Sequence, residues 1–139
     1  MSGFATGGCL CGKVRYECQS PPLMSGNCHC RDCQKATGAA FATLLIFPKD
    51  TVSITGSTFR EFQDSGDSGK EVRRGFCDQC GGSISAWYEV TPDFMVVMAG
   101  TIDEVSKVTP EWEIYTTSKQ DWTVFPPDHK VFPRGYGSS

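Results

Sequence analysis

Phe76-Cys77-Asp78-Gln79-Cys80-Gly81 is the stretch on which the fold of this chain turns. Two cysteines two residues apart and followed by glycine read as a knuckle. Both sulfurs face one ion, backbone N–H groups point at them, and the glycine relieves the tight turn. Two thiolates leave a tetrahedron half built, so a second pair is needed, and Cys9-Leu10-Cys11-Gly12 is the natural donor. Sixty-five residues separate Cys11 from Cys77. A shared ion would therefore clamp the N-terminal strand to the middle of the chain. A closed four-cysteine site of this kind is structural, and its ligation energy counts as folding energy. The alternative is four ordinary buried thiols.

Outward from the knuckle, short strand-like runs recur between turn signals: Lys13–Cys18, Ala40–Phe47, Val52–Thr55, Thr58–Gln63, Glu71–Phe76, Ser83–Trp87, Phe94–Ala99 and Trp112–Thr116. The segment DSGDSG joins the fourth and fifth of these as a hairpin connection. Val, Ile and Thr supply 27 residues against 11 for Ala and Leu, a balance that favours pleated surfaces over helices. One short helix is expected over Arg31–Thr37, closed by Gly38. The last residues, Pro126–Ser139, are rich in proline and glycine, yet Phe125, Val131 and Phe132 indicate that part of this tail packs down. With 139 residues the chain fits one domain, residues 1–139. The expected architecture is mainly β: an antiparallel sandwich or folded-over sheet pinned by metal, with few helices.

A formal charge of −3 argues against a general electrostatic grip on nucleic acid, although Arg73–Arg74 make a local basic patch. The longest apolar run, Ala39–Phe47, is far short of the roughly 20 residues that span a bilayer. The opening MSGFATGG has neither a basic start nor an apolar stretch. The expectation is therefore a cytoplasmic protein with no membrane partner. Eight cysteines, about 6% of the chain, then read as metal ligands rather than a disulfide scaffold, because reducing compartments keep thiols free.

Cys28-His29-Cys30-Arg31-Asp32-Cys33 differs from the first set in its count. Three close thiolates with an exchangeable position are the pattern of catalytic zinc, whereas four closed ligands mark structural zinc. Three thiolates on Zn²⁺ carry a net negative charge, which suits holding a substrate thiol as its nucleophilic thiolate better than making hydroxide from water. A second structural zinc, completed by Cys18, His29 or His129, is the competing reading, and an iron–sulfur cluster a third. On an extended stretch the ring of His29 points away from an ion held by its neighbours. Cys18 follows a β-like run and reads as a core thiol. Arg31 and Lys35 flank the trio, either to meet carboxylates of an anionic ligand or as the solvated face of a short helix. Trp87, Tyr88, Trp112, Tyr115 and Trp122 read as packing residues, any of which could instead line a cleft.

GGCLCGKVRYEC, CHCRDCQKATG, RRGFCDQCGGSIS and MAGTID, in that order, resemble the glutathione-dependent formaldehyde-activating enzyme family over about residues 7–122. The resemblance implies a β-tent fold, shared with guanine-nucleotide exchange chaperones, and two zinc ions per chain. Cys9, Cys11, Cys77 and Cys80 match the structural site, and Cys28, Cys30 and Cys33 the catalytic one. It further implies carbon–sulfur lyase chemistry, the reversible condensation of glutathione with formaldehyde, with glutathione as the small-molecule partner. Two features depart from the family pattern. Many relatives carry a histidine where this chain reads Glu113-Ile114-Tyr115, and Cys18 lies outside the motif. The contrasting expectation, from the chaperone relatives of the fold, is a zinc-stabilised binding module without catalysis.

Overall fold

The computed structural model describes residues 3–139; Met1 and Ser2, which open the segment read above for a leader, lie outside the described residues. The strands are β1 (Ala5–Gly8), β2 (Arg15–Cys18), β3 (Met24–Cys28), β4 (Ala42–Pro48), β5 (Val52–Thr55), β6 (Phe59–Ser65), β7 (Glu71–Cys77), β8 (Ser83–Tyr88), β9 (Phe94–Met98), β10 (Trp112–Ile114) and β11 (Lys130–Val131). Among the described residues one α-helix, α1 (Arg31–Thr37), and short 3₁₀ turns complete the fold. Gly38 adopts the left-handed conformation and closes α1 by donating its N–H to Gln34. The fold is mainly β. Among the described residues no helix is long and apolar enough to cross a membrane.

Two sheets form. The smaller has the order β1-β2-β5, and the larger β11-β10-β3-β4-β9-β8-β7-β6. Pairing is antiparallel except where β10 lies parallel to both β3 and β11. The tail Pro126–Ser139 is thus partly a sheet edge, because Lys130 and Val131 pair with Trp112 and Glu113.

The period-two alternation of strands, shifted in β8 by a bulge at Ile84, gives the large sheet two packed faces. Leu45 and Phe47 of β4, Ile84 of β8 and Val97 of β9 face one way and meet Val14, Tyr16 and Cys18 of the small sheet side. Ala42 and Leu44 of β4, Ala86 of β8 and Val96 of β9 face the other way and pack with Cys28, Cys33 and Trp112. Each face carries its own group of cysteines. Cys9 and Cys77 belong to the first core, Cys28 and Cys33 to the second.

Candidate metal centres and the cavity between them

The Sγ atoms of Cys9, Cys11, Cys77 and Cys80 all lie within 4.8 Å of one another, and all four cysteines are free thiols. Cys9 and Cys11 come from the turn after β1, Cys77 from the end of β7 and Cys80 from the turn before β8. Both glycines that follow the pairs have left-handed backbones, Gly12 at φ 81° and Gly81 at φ 75°, where an L side chain would be strained. Backbone amides aim at the sulfurs: Val14 N–H donates to Cys9 at 3.3 Å and Gln79 N–H to Cys77 at 3.4 Å. The Thr58 hydroxyl, 3.3 Å from the Cys77 sulfur, and nearby amides lower that thiol to about 6. The Cys11 and Gly82 amides lower Cys80 as well. For Cys11 the Lys13 amide favours the thiolate, but desolvation and hydrogen bonds to the other sulfurs outweigh it and hold the thiol at about 11.

The second group gathers Cys28, Cys30 and Cys33, again with sulfurs within 4.8 Å. Cys28 ends β3, Cys30 caps α1, and Cys33 lies in its first turn, where its N–H donates to the Cys30 sulfur at 3.3 Å. Hydrogen bonds from Cys28 and Cys33 hold Cys30 down to about 2, while Cys28, hydrogen-bonded to Cys30 and Cys33 and buried, is pushed up. Cys33 interacts favourably with Cys28, but its bond to Cys30 and its burial raise it to about 11. Three adjacent sulfurs ionise together only when a cation offsets their charge. Both donor sets, soft thiolates with amides directed at them, suit Zn²⁺.

His29 lies between two of these ligands in sequence and outside the sulfur group in space. Its ring is fully buried, its Nε2 is 2.6 Å from Oε1 of Glu113, and its Nδ1 has no partner. Oε2 of Glu113 lies 2.6 Å from His129 Nδ1 and accepts from Asn27 at 2.9 Å. His129 therefore anchors the tail to β10, and Cys18 is buried in the opposite core. Gln34 ties the helix down through donations to the carbonyls of His29 at 2.7 Å and Ser118 at 3.0 Å. Tyr115 turns away from β10 through a left-handed backbone at φ 54°, uncommon for a residue with a side chain. This turn packs it against the core that holds the trio.

A cavity of about 220 Å³ opens beside Cys33, walled by Thr37, Phe62, Arg74, Ser85 and Met98 and reaching Gly81 of the knuckle. It lies between the two cysteine groups. Arg31 and Lys35 are exposed on α1 and do not line it; Arg31 is hydrogen-bonded to Gln34. The cation that does line it is Arg74. Sequence reading treated Arg73 and Arg74 as one basic patch, but strand alternation sends them to opposite faces. Arg73 pairs with Glu71 and sits over the Trp87 ring at 4.8 Å. Arg74 is directed to the face of the trio, where burial opposes its charge and nearby Tyr88 and Cys33 favour it. A bulge at Gly75/Phe76 in the pairing of β7 with β8 lies next to it.

A family model described as "Glutathione-dependent formaldehyde-activating enzyme" matches residues 4–118. A Fusarium vanettenii protein, named provisionally as a glutathione-dependent formaldehyde-activating enzyme, is 32% identical over 79 residues. That match covers 50% of this chain and 41% of the relative, so the chain spans less than half of that protein's length. Among solved structures, a crystal structure of a Rhodobacter sphaeroides protein superposes with a TM-score of 0.59 at 19% identity. It covers 76% of this chain and 91% of the other, a likeness of fold.

Proposed function

The chain belongs to the glutathione-dependent formaldehyde-activating enzyme family, and from that membership we propose a zinc-dependent carbon–sulfur lyase or synthase that joins a thiol, glutathione in the family's description, to formaldehyde or a similar small electrophile. The observation that carries this reading is the three-sulfur group beside a cavity, set apart from a four-sulfur group that needs no further ligand. In this reading residues 1–139 form one zinc-binding β domain. Cys9, Cys11, Cys77 and Cys80 would hold the structural ion, and Cys28, Cys30 and Cys33 the catalytic one. When bound at the trio, zinc supplies the Lewis acidity that keeps an incoming thiol in its thiolate form.

The chain's own residues do the rest. Cys33 meets the cavity, whose walls limit the water around the reacting sulfur. The cavity is large enough for a one-carbon carbonyl together with the methylene of a thiol. Arg31 and Lys35, proposed for the carboxylates of the tripeptide, lie on the side of α1 away from the cavity-lining Cys33, Ala36 and Thr37, so they would meet it only outside the cavity. In the forward direction the thiol sulfur bonds to the carbonyl carbon, and the carbonyl oxygen takes the proton that the thiol gave up. The reverse reaction breaks the same carbon–sulfur bond.

Calorimetric titration of the zinc-loaded protein with glutathione tests this, together with the rate of formaldehyde consumption in its presence. Heat of binding with both zinc ions retained, and consumption faster than the uncatalysed addition, is the expected result. Silence at millimolar glutathione would overturn it and favour a binding module.

A further inference from the structure

Among the described residues Arg74 is the arginine that is half-buried yet has no carboxylate partner, whereas Arg31 and Arg134, also without one, are exposed. Arg15 pairs with Asp103, Arg60 with Asp78 and Arg73 with Glu71. Among the described residues no carboxylate pairs with Arg74. Its guanidinium is nevertheless half-buried, lies beside Cys33, and forms part of the wall of the cavity that Cys33 enters. A guanidinium half-withdrawn from water has five N–H donors to satisfy, and the sulfur of Cys33 beside it takes up only part of that capacity. The register across β7 and β8 sets Arg74 opposite Ala86, whose small side chain leaves space beside the guanidinium. Phe62, its partner on β6, is exposed at the cavity wall.

Resting on the thiol-addition reading above, we propose that Arg74 is a catalytic residue whose guanidinium receives the oxygen that becomes anionic as the thiol adds to the carbonyl. The sulfur–carbon bond forms, the π pair of the carbonyl moves onto oxygen, and the proton released by the thiol ends on that oxygen. Charge develops there only as the bond forms, so a fixed cation in a small cavity stabilises the transition state more than the neutral aldehyde. Arginine suits this role because it stays charged and its donors form a rigid fork.

The test compares two stable thioethers by calorimetry on the zinc-loaded protein. S-(carboxymethyl)glutathione carries a carboxylate on the adduct carbon, one carbon beyond the position of the nascent oxyanion, and S-methylglutathione carries none. Wild type should bind the first at least tenfold more tightly, and Arg74→Gln should lose that preference while keeping its affinity for the second and both zinc ions. Turnover by Arg74→Gln should fall in kcat with little change in KM for glutathione, and Arg74→Lys should restore part of it. A preference that persists in Arg74→Gln overturns the assignment alone. Loss of one zinc from Arg74→Gln would make Arg74 the counter-ion of the trio, which also overturns it. If neither thioether binds wild type, the thiol reading fails and the assignment fails with it.

Discussion

Glu113 lies 2.6 Å from Nε2 of His29, both side chains fully buried, and through its other oxygen it holds His129 of the C-terminal tail. One carboxylate thus joins the residue between two cysteines of the trio to the segment that covers it. Asn27 donates to the same carboxylate and accepts from Thr43 at 2.6 Å, so β3, β4, β10 and the tail share one polar network.

Glu113→Ala leaves His29, Asn27 and His129 without their common acceptor. It should lower stability by about 3 kcal/mol, the scale of breaking one side of a buried pair. Denaturant unfolding should show a lower midpoint with an unchanged slope. His129→Ala, at the less buried end, should lower the midpoint less and increase proteolysis of the tail.

Much of this was readable in the sequence. The helix Arg31–Thr37, its glycine cap and the strand Val52–Thr55 appear with the expected bounds, and most other strands within a few residues. The two cysteine groups come together with the expected membership. β3 was missed because Met-Ser-Gly-Asn-Cys has no β-branched residue; its neighbours β4 and β10 impose the strand from both sides. β1 and β11, four and two residues long, are too short to show an alternation. In the sequence Glu113 stands out only as a departure from the family pattern; the fold sets it beside two histidines that are 100 residues apart in sequence. Arg74 carried one usable signal, its alternation with Arg73, but which face held the cavity depended on the tertiary fold.

Gly26→Ala tests the packing of β10 on β3. A methyl group at Gly26 would fall 2.1 Å from the Trp112 ring. The ring cannot retreat easily, since Trp112 is buried in the core behind the trio. The substitution should cost about 1–3 kcal/mol, as overpacking does, seen as a lower urea midpoint.

Asp103 gives a pH dependence of known sign. Hydrogen bonding from Arg15, with a second bond from Thr6 at 2.8 Å, holds its carboxyl below the ordinary range. Its contribution to stability is therefore complete above the unfolded value of about 3.9 and is lost as pH falls through the lower folded value. The pair is exposed, so its effect should stay below about 1 kcal/mol. Between neutral pH and pH about 3, Asp103→Asn should show a smaller fall in Tm than wild type, by that modest amount.

Replacing one cysteine from each group separates their roles. Cys77 brings the end of β7 against the turn after β1, segments that only tertiary structure brings together, and it is fully buried. Structural zinc sites contribute about 10–16 kcal/mol of apparent binding energy in small peptides, against a total domain stability of about 5–15 kcal/mol. Cys77→Ala should therefore be insoluble or unfolded, with no cooperative thermal transition. Cys30 lies at the half-exposed cap of a seven-residue helix on the other face of the large sheet. Cys30→Ala should melt cooperatively, retain one zinc by elemental analysis instead of two, and lose thiol-dependent turnover. A folded, zinc-replete Cys77→Ala would show that the four-sulfur group does not hold the two sheets together.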